Sequence, residues 1–154
     1  MNVVFLDYDG VVNIPLWYYD DSNKLLCTYN YPEDGKVNSW QAVQWVSEFC
    51  ERFDYSIVIS SSWRSDSNYQ DCLRNGGLRK NIEIIGRTPI FHKERGDEIT
   101  AYLKNHPEVT GYLIFDDDSD MTTHMDKLVK CDGVVGFTLR EYQQAVMLHQ
   151  AFNQ

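Results

Sequence analysis

Short apolar runs alternate with helix-like stretches along this chain. Val3-Val4-Phe5-Leu6 is an unbroken apolar run ending at Asp7. The pattern returns at Ser56-Ile57-Val58-Ile59, Ile82-Glu83-Ile84-Ile85 and Tyr112-Leu113-Ile114-Phe115, and more weakly at Gly133-Val134-Val135-Gly136. Runs of this length without polar alternation predict strands buried on both faces. Between the first two, Trp40, Val43, Trp45, Val46 and Phe49 recur at helical spacing behind a capping candidate, Ser39. Ile99, Tyr102 and Leu103 mark a helix that Pro107 ends, and Tyr142, Ala145, Val146, Leu148 and His149 mark a C-terminal one. The alternation predicts an α/β fold, a parallel sheet with helices on both faces.

Residues 13–38 break the alternation. They hold Trp17, Tyr18, Tyr19, Tyr29 and Tyr31 between turn formers, Asp20-Asp21-Ser22-Asn23 and Pro32-Glu33-Asp34-Gly35. So long an insertion predicts a structure of its own, a small flap or β-hairpin over the sheet's rim. The rest of the chain shows no repeat or linker, and 154 residues suit a single domain, 1–154.

The polar residues that end the strands carry the chemistry. The first strand ends in Asp7, the second in Ser60-Ser61 and the fourth in Asp116-Asp117. Ligands of open α/β sheets bind just outside the carboxyl ends of the strands, so acid, hydroxyl and acid converge on one rim. In Asp7-Tyr8-Asp9-Gly10, carboxylates two residues apart face the same side of an extended chain. Gly10 allows a tight turn with no side chain obstructing a ligand. A carboxylate nucleophile beside an acid that protonates the leaving oxygen is what phosphoryl transfer through an aspartyl-phosphate needs. Asp7 and Asp9 have the types and spacing for those roles; a strand followed by an Asp-rich turn is the plain alternative.

Composition narrows the classes. The net charge is -9, with acid concentrated at Asp7 and Asp9 and at Asp116, Asp117, Asp118 and Asp120. Such an excess argues against a broad nucleic-acid-binding surface, though not against recognition of one phosphorylated end. Carboxylates this crowded call for a cation. No run approaches the ~20 apolar residues of a membrane span, and the N-terminus reads as a strand and not as a signal peptide. Cys27, Cys50, Cys72 and Cys131 form no CxxC pair, which fits reduced thiols in a cytoplasmic protein.

Phe5-Leu6-Asp7-Tyr8-Asp9-Gly10-Val11-Val12-Asn13 resembles the first motif of the haloacid-dehalogenase-like (HAD) superfamily, hhhDxDGhhx. Ile57-Val58-Ile59-Ser60-Ser61 is similar to its second motif and Leu113-Ile114-Phe115-Asp116-Asp117-Asp118-Ser119-Asp120 to its fourth, in the family's order. Ser61-Ser62-Trp63-Arg64, Arg95-Gly96-Asp97-Glu98-Ile99 and Asp116-Asp117-Asp118-Ser119-Asp120-Met121 look like a compact subgroup found in RNA-repair (Swiss Army Knife) proteins and as stand-alone proteins.

The resemblance implies a Rossmannoid three-layer α/β/α fold with a small aromatic-rich cap, and a magnesium-dependent phosphomonoester hydrolase. Asp7 would be nucleophile and Mg2+ ligand. Asp9 would be general acid and then base, binding the metal through its backbone carbonyl. Asp116 would add a carboxylate, supported by Asp117 or Asp120. A serine of motif two would bind the transferring phosphoryl group, Ser61 in preference to Ser60. The family's motif-three lysine has no plain counterpart; Arg95 is the better aligned candidate and Lys93 the other.

Ser62 joins the substrate-binding candidates, though a serine there also suits a helix cap. Trp63 and Arg64 could stack on a base or bind a second phosphate, or else be core packing and an ion pair. Trp17, with its tyrosine neighbours, could face a nucleoside. The four histidines, His92, His106, His124 and His149, show no ligand spacing.

Competing classes fit less well. A phosphoacceptor receiver domain has its lone acceptor Asp on a middle strand, where this chain has serines. A metal-dependent nuclease leaves the serine strand without a role, and an inert binding module leaves the full carboxylate set unexplained. The substrate expected is a phosphate ester, on a nucleotide or nucleic-acid end or on a small metabolite.

Overall fold

A computed structural model describes residues 1–28, 35–91 and 93–152. Tyr29, Tyr31, the turn residues Pro32, Glu33 and Asp34, and His92 lie outside the described residues.

Among the described residues, seven strands and four α-helices follow one another as β1 (Asn2–Leu6), β2 (Leu16–Tyr19), β3 (Leu25–Thr28), α1 (Trp40–Phe53), β4 (Tyr55–Ile59), α2 (Tyr69–Asn75), β5 (Ile84–Arg87), α3 (Arg95–Asn105), β6 (Gly111–Asp116), β7 (Leu128–Lys130) and α4 (Leu139–Phe152). Short 3-10 turns occupy Ser62–Ser65 and Thr122–Lys127. Five strands form one sheet in the order β5-β4-β1-β6-β7, every neighbouring pair parallel. With β1 central, its end at Asp7 lies between the ends of β4 and β6. The fold is the three-layer, Rossmann-like α/β/α arrangement.

The period of the strands sorts the core into two layers. Val4 and Leu6 join Ile57, Ile59, Leu113 and Phe115 in a cluster with Val43, Val46 and Phe49 of α1 and Tyr142 and Ala145 of α4. Val3 and Phe5 face the other way, with Val58 and Ile114, against Ile99 and Tyr102 of α3. Each sheet face is thus covered by helices, and the strands have no polar face. Ser39 caps α1 by accepting from the Ala42 N–H at 3.3 Å.

Two strands lie elsewhere than the apolar runs suggested. The strand after β4 is Ile84–Arg87, at one edge of the sheet and two residues on from the start of the run at Ile82. Residues 133–136 form a turn in which Val134 and Val135 are exposed, and the edge strand is Leu128–Lys130, whose Leu128 and Val129 are buried. Gly-Val-Val-Gly imitates a strand in composition, but glycine at both ends suits a turn, and Gly136 takes φ +80° there. The insertion does contain an antiparallel hairpin, β2–β3, with Trp17 opposite Cys27 and Tyr18 opposite Leu26.

Candidate active site

The ladder between β1 and β6 continues one step past the strand, where the Asp7 N–H donates to Phe115 O at 3.0 Å. The chain then folds over itself. The Tyr8 carbonyl accepts from the N–H groups of Val11, Val12 and Asn13, and Gly10 adopts φ +78°. A Cβ at Gly10 would also run into the Asp117 carboxylate, and one at Gly133 would meet the same group. Gly10 and Gly133 therefore leave a slot for Asp117 between two stretches of backbone. Gly10 has a steric reason from the far side of the site, which its own turn did not reveal.

Asp7, Asp116 and Asp117 each offer an oxygen within 4.8 Å of the others. Asp7 and Asp116 are buried, and Asp116 Oδ2 has no hydrogen-bond partner among the described residues. The other oxygen, Oδ1, accepts from the Asp118 N–H at 2.9 Å. Burial pushes the Asp7 carboxyl up to about 6, against the lowering effect of Arg95 and of hydrogen bonds from Tyr8 N–H and the Ser61 hydroxyl. Burial and the charge of Asp7 push Asp116 up to about 8, and burial raises Asp117 as well. All three carboxyls thus resist ionising together. A hard divalent cation with oxygen ligands reverses that balance, so the donor set and the orphaned Asp116 oxygen fit Mg2+.

Arg95 is the organic cation of the site. Its Nη2 lies 3.8 Å from Asp7 Oδ1 and its Nε 3.5 Å from Asp116 Oδ2. Lys93 is exposed and has no ion pair among the described residues, two positions ahead and outside the carboxylate cluster. Asp120 is not one of the clustered carboxylates. Its Oδ2 accepts from the Arg95 N–H at 3.0 Å and its carbonyl from the Gly96 N–H at 3.0 Å, so it anchors the start of α3. Gly96 is tight against this loop, since a Cβ there would collide with Met121 O and Thr122 Oγ1.

Both oxygens of Asp9 are already held. Asn13 Nδ2 donates to Oδ1 at 2.8 Å and Trp63 Nε1 to Oδ2 at 2.9 Å. Trp63 is therefore a buried partner of Asp9, packed edge-to-face on Tyr8, and not an exposed platform for a base. Asn13 went unassigned in the sequence; its place four residues after Asp9, inside the first motif, was the available signal.

Arg64 likewise differs from a free phosphate ligand. It is 3% exposed. Its Nε donates to Thr88 O, its Nη1 to Ser60 O and Ser61 O, and its Nη2 to Pro89 O and Glu98. A guanidinium has five N–H donors, and these five acceptors use them all. Arg64 thus locks the serine strand end to the next loop and to α3. Glu98, buried in α3, was missed because a glutamate beside Ile99 reads as the solvent face of a helix. Ser61 sits behind this clamp, next to Asp7, and caps the 3-10 turn by accepting from the Trp63 N–H at 3.4 Å. The Ser60 hydroxyl is buried without a partner among the described residues, and Ser62 is exposed.

A Rossmann-like α/β domain with buried carboxylates, a serine strand and an arginine at its carboxyl rim defines the class. A family model described as the HAD domain in Swiss Army Knife RNA repair proteins matches residues 3–142, and the chain belongs to that family. At the level of the superfamily it is a HAD-type phosphohydrolase. Comparison with curated proteins returned no match. Among the described residues, no helix is long and apolar enough to cross a membrane.

Proposed function

We propose that the chain is a Mg2+-dependent phosphomonoesterase that acts through a phosphoryl-Asp7 intermediate on nucleotide or polynucleotide terminal phosphates. The observation that carries this reading is the placing of Asp7, Asp116 and Asp117 within one ligand sphere beside Arg95.

Asp7, Asp116 and Asp117 would hold the ion, which when bound offsets the charge of the carboxylates and of the phosphoryl oxygens. A carboxylate oxygen of Asp7 attacks phosphorus, and the bond from phosphorus to the leaving oxygen breaks. Asp9 gives that oxygen its proton. Asp9, now a carboxylate, takes a proton from water as the water oxygen attacks phosphorus. The bond from phosphorus to Asp7 breaks, returning the Asp7 carboxylate and inorganic phosphate. Trp63 and Asn13 hold Asp9 in place through both steps, Ser61 binds a phosphoryl oxygen, and Arg95 is the motif-three cation in place of lysine.

The test is a screen of phosphorylated metabolites and end-phosphorylated oligonucleotides with and without Mg2+. Release of phosphate in Mg2+, lost with chelator and in Asp7→Asn, is the expected outcome; undiminished release in either would sink the mechanism. The nucleotide preference is supported by the family's occurrence in RNA repair proteins and by Trp17, Tyr18 and Tyr19, which are 52%, 48% and 67% exposed. Exposure at this level does not suit a satellite core. The hairpin that carries them starts three residues after Asn13, within ~10 Å of it along the chain. Trp17→Ala should raise KM for a nucleotide phosphate and leave a generic phosphoester little changed.

A further inference from the structure

A cavity of about 370 Å³ opens beside the carboxylates, sharing Arg95 with them and bounded by Ser62, Arg64, Lys93, Glu98 and Asp120. That size is within the ~300–1,000 Å³ of small-molecule sites. Both of its acids have partners: Glu98 is ion-paired with Arg64 and accepts from the Phe91 N–H at 3.0 Å, and Asp120 accepts from the backbone N–H of Arg95. Arg64 has no donor left, and Arg95 is turned to Asp7 and Asp116. The backbone N–H groups that open α3 at Arg95, Gly96 and Asp97 are also occupied. Among the described residues the Lys93 ammonium has no ion pair or hydrogen bond, and the exposed Ser62 hydroxyl lines the same cavity. Ile90 also lines the cavity, and it and Phe91 are exposed, giving an apolar flank.

A cation with no partner among the described residues, lining a pocket that shares Arg95 with the carboxylates in a chain of net charge -9, is suited to an anion that arrives with the substrate. We propose that this cavity takes a second phosphoryl group of the same substrate molecule, held by Lys93 and Ser62, while the terminal phosphate lies against Asp7. The substrate class is then a strand end, a terminal phosphomonoester with a phosphodiester next to it, in preference to a mononucleotide. This rests on the phosphomonoesterase reading and names its substrate.

The test compares Lys93→Ala, Lys93→Glu and Lys93→Arg on a dinucleotide with a terminal phosphate and on the matching mononucleoside monophosphate, with the monoester at either end. In the parent chain the dinucleotide should have the higher kcat/KM. Lys93→Ala should cut that preference roughly tenfold, through KM, with a larger loss in Lys93→Glu and recovery in Lys93→Arg. The slope of log(1/KM) against log[salt] for the dinucleotide should also become shallower by about one ion. An equal loss on both substrates would place Lys93 at the carboxylates and overturn the proposal, as would an unchanged preference. Calorimetric titration of the Asp7→Asn chain with the end-phosphorylated dinucleotide separates the two readings. If no phosphomonoester is hydrolysed but Lys93→Ala weakens this binding about tenfold, the phosphatase reading fails and the cavity stands. Binding indifferent to Lys93 overturns the cavity even if hydrolysis is found.

Discussion

The two halves of the rim are built on opposite principles. On the β1/β6 side, Asp7, Asp116 and Asp117 crowd together, burial and mutual repulsion raise their affinity for protons, and one buried oxygen lacks a hydrogen bond among the described residues. On the β4/β5 side, Arg64 is as deeply buried yet meets four backbone carbonyls and a carboxylate partner. The first half is unfavourable as it stands, and a bound cation would complete it. The second is complete without one, and fixes where Ser61 and α3 lie. Burial of charge therefore does not by itself mark a reacting group; what separates the halves is whether the hydrogen-bonding capacity is spent.

Substitutions should break this contrast in opposite directions. Asp7→Asn should cut turnover by roughly 10⁴-fold or more, since an amide cannot form the acyl-phosphate. The same change should raise the melting temperature of the metal-free chain at pH 8, because it removes a buried like charge; calorimetry and a phosphate-release assay on one preparation check both. Arg64→Ala should do the reverse. It strands Glu98 in the core and leaves the Ser60 and Ser61 carbonyls short of donors, at a cost of roughly 3–5 kcal/mol read from urea unfolding.

Proton linkage sharpens the contrast. Asp7 and Asp116 have folded-state values raised from 3.8 to about 6 and about 8, so between pH 4 and 8 the metal-free folded chain holds protons that the unfolded chain has released. Stability of the metal-free chain should fall as pH rises through that window. Mg2+ should oppose the fall, with its largest increment in melting temperature at the alkaline end. A stability that climbs with pH in chelator would show that the carboxylates are not strained.

The smallest effect expected belongs to Trp63→Phe, which keeps the packing on Tyr8 but removes the Nε1 donor to Asp9. A loss of about tenfold in kcat with little change in stability is expected. An equal loss of stability would make Trp63 a packing residue only.

Much of this was legible in the chain. The buried strands, the rim and the aspartates followed from where apolar runs stop, because a strand buried on both faces tolerates polar residues only at its ends. Less legible were groups whose partners are remote in sequence. Arg64 and Glu98 are 34 residues apart, and each alone reads as a surface charge. The tie from Trp63 to Asp9 spans 54 residues. Gly133 has its reason in Asp117, and the edge strand at Leu128–Lys130 was too short for its period to stand out. Periodicity reports which face a residue occupies, not which distant group it meets there.

The central claim is that Asp7 forms a covalent bond to phosphorus, and trapping that bond tests it most directly. Asp9→Asn removes the group that activates water, and an aryl phosphate such as p-nitrophenyl phosphate needs no proton to leave. The variant mixed with this substrate and Mg2+, quenched in acid and mapped by peptide mass spectrometry, should carry one phosphoryl group, on Asp7. The label should be missing when Mg2+ is withheld. Release of p-nitrophenol with no phosphoryl group on the protein, or with the group on any residue but Asp7, would contradict the account.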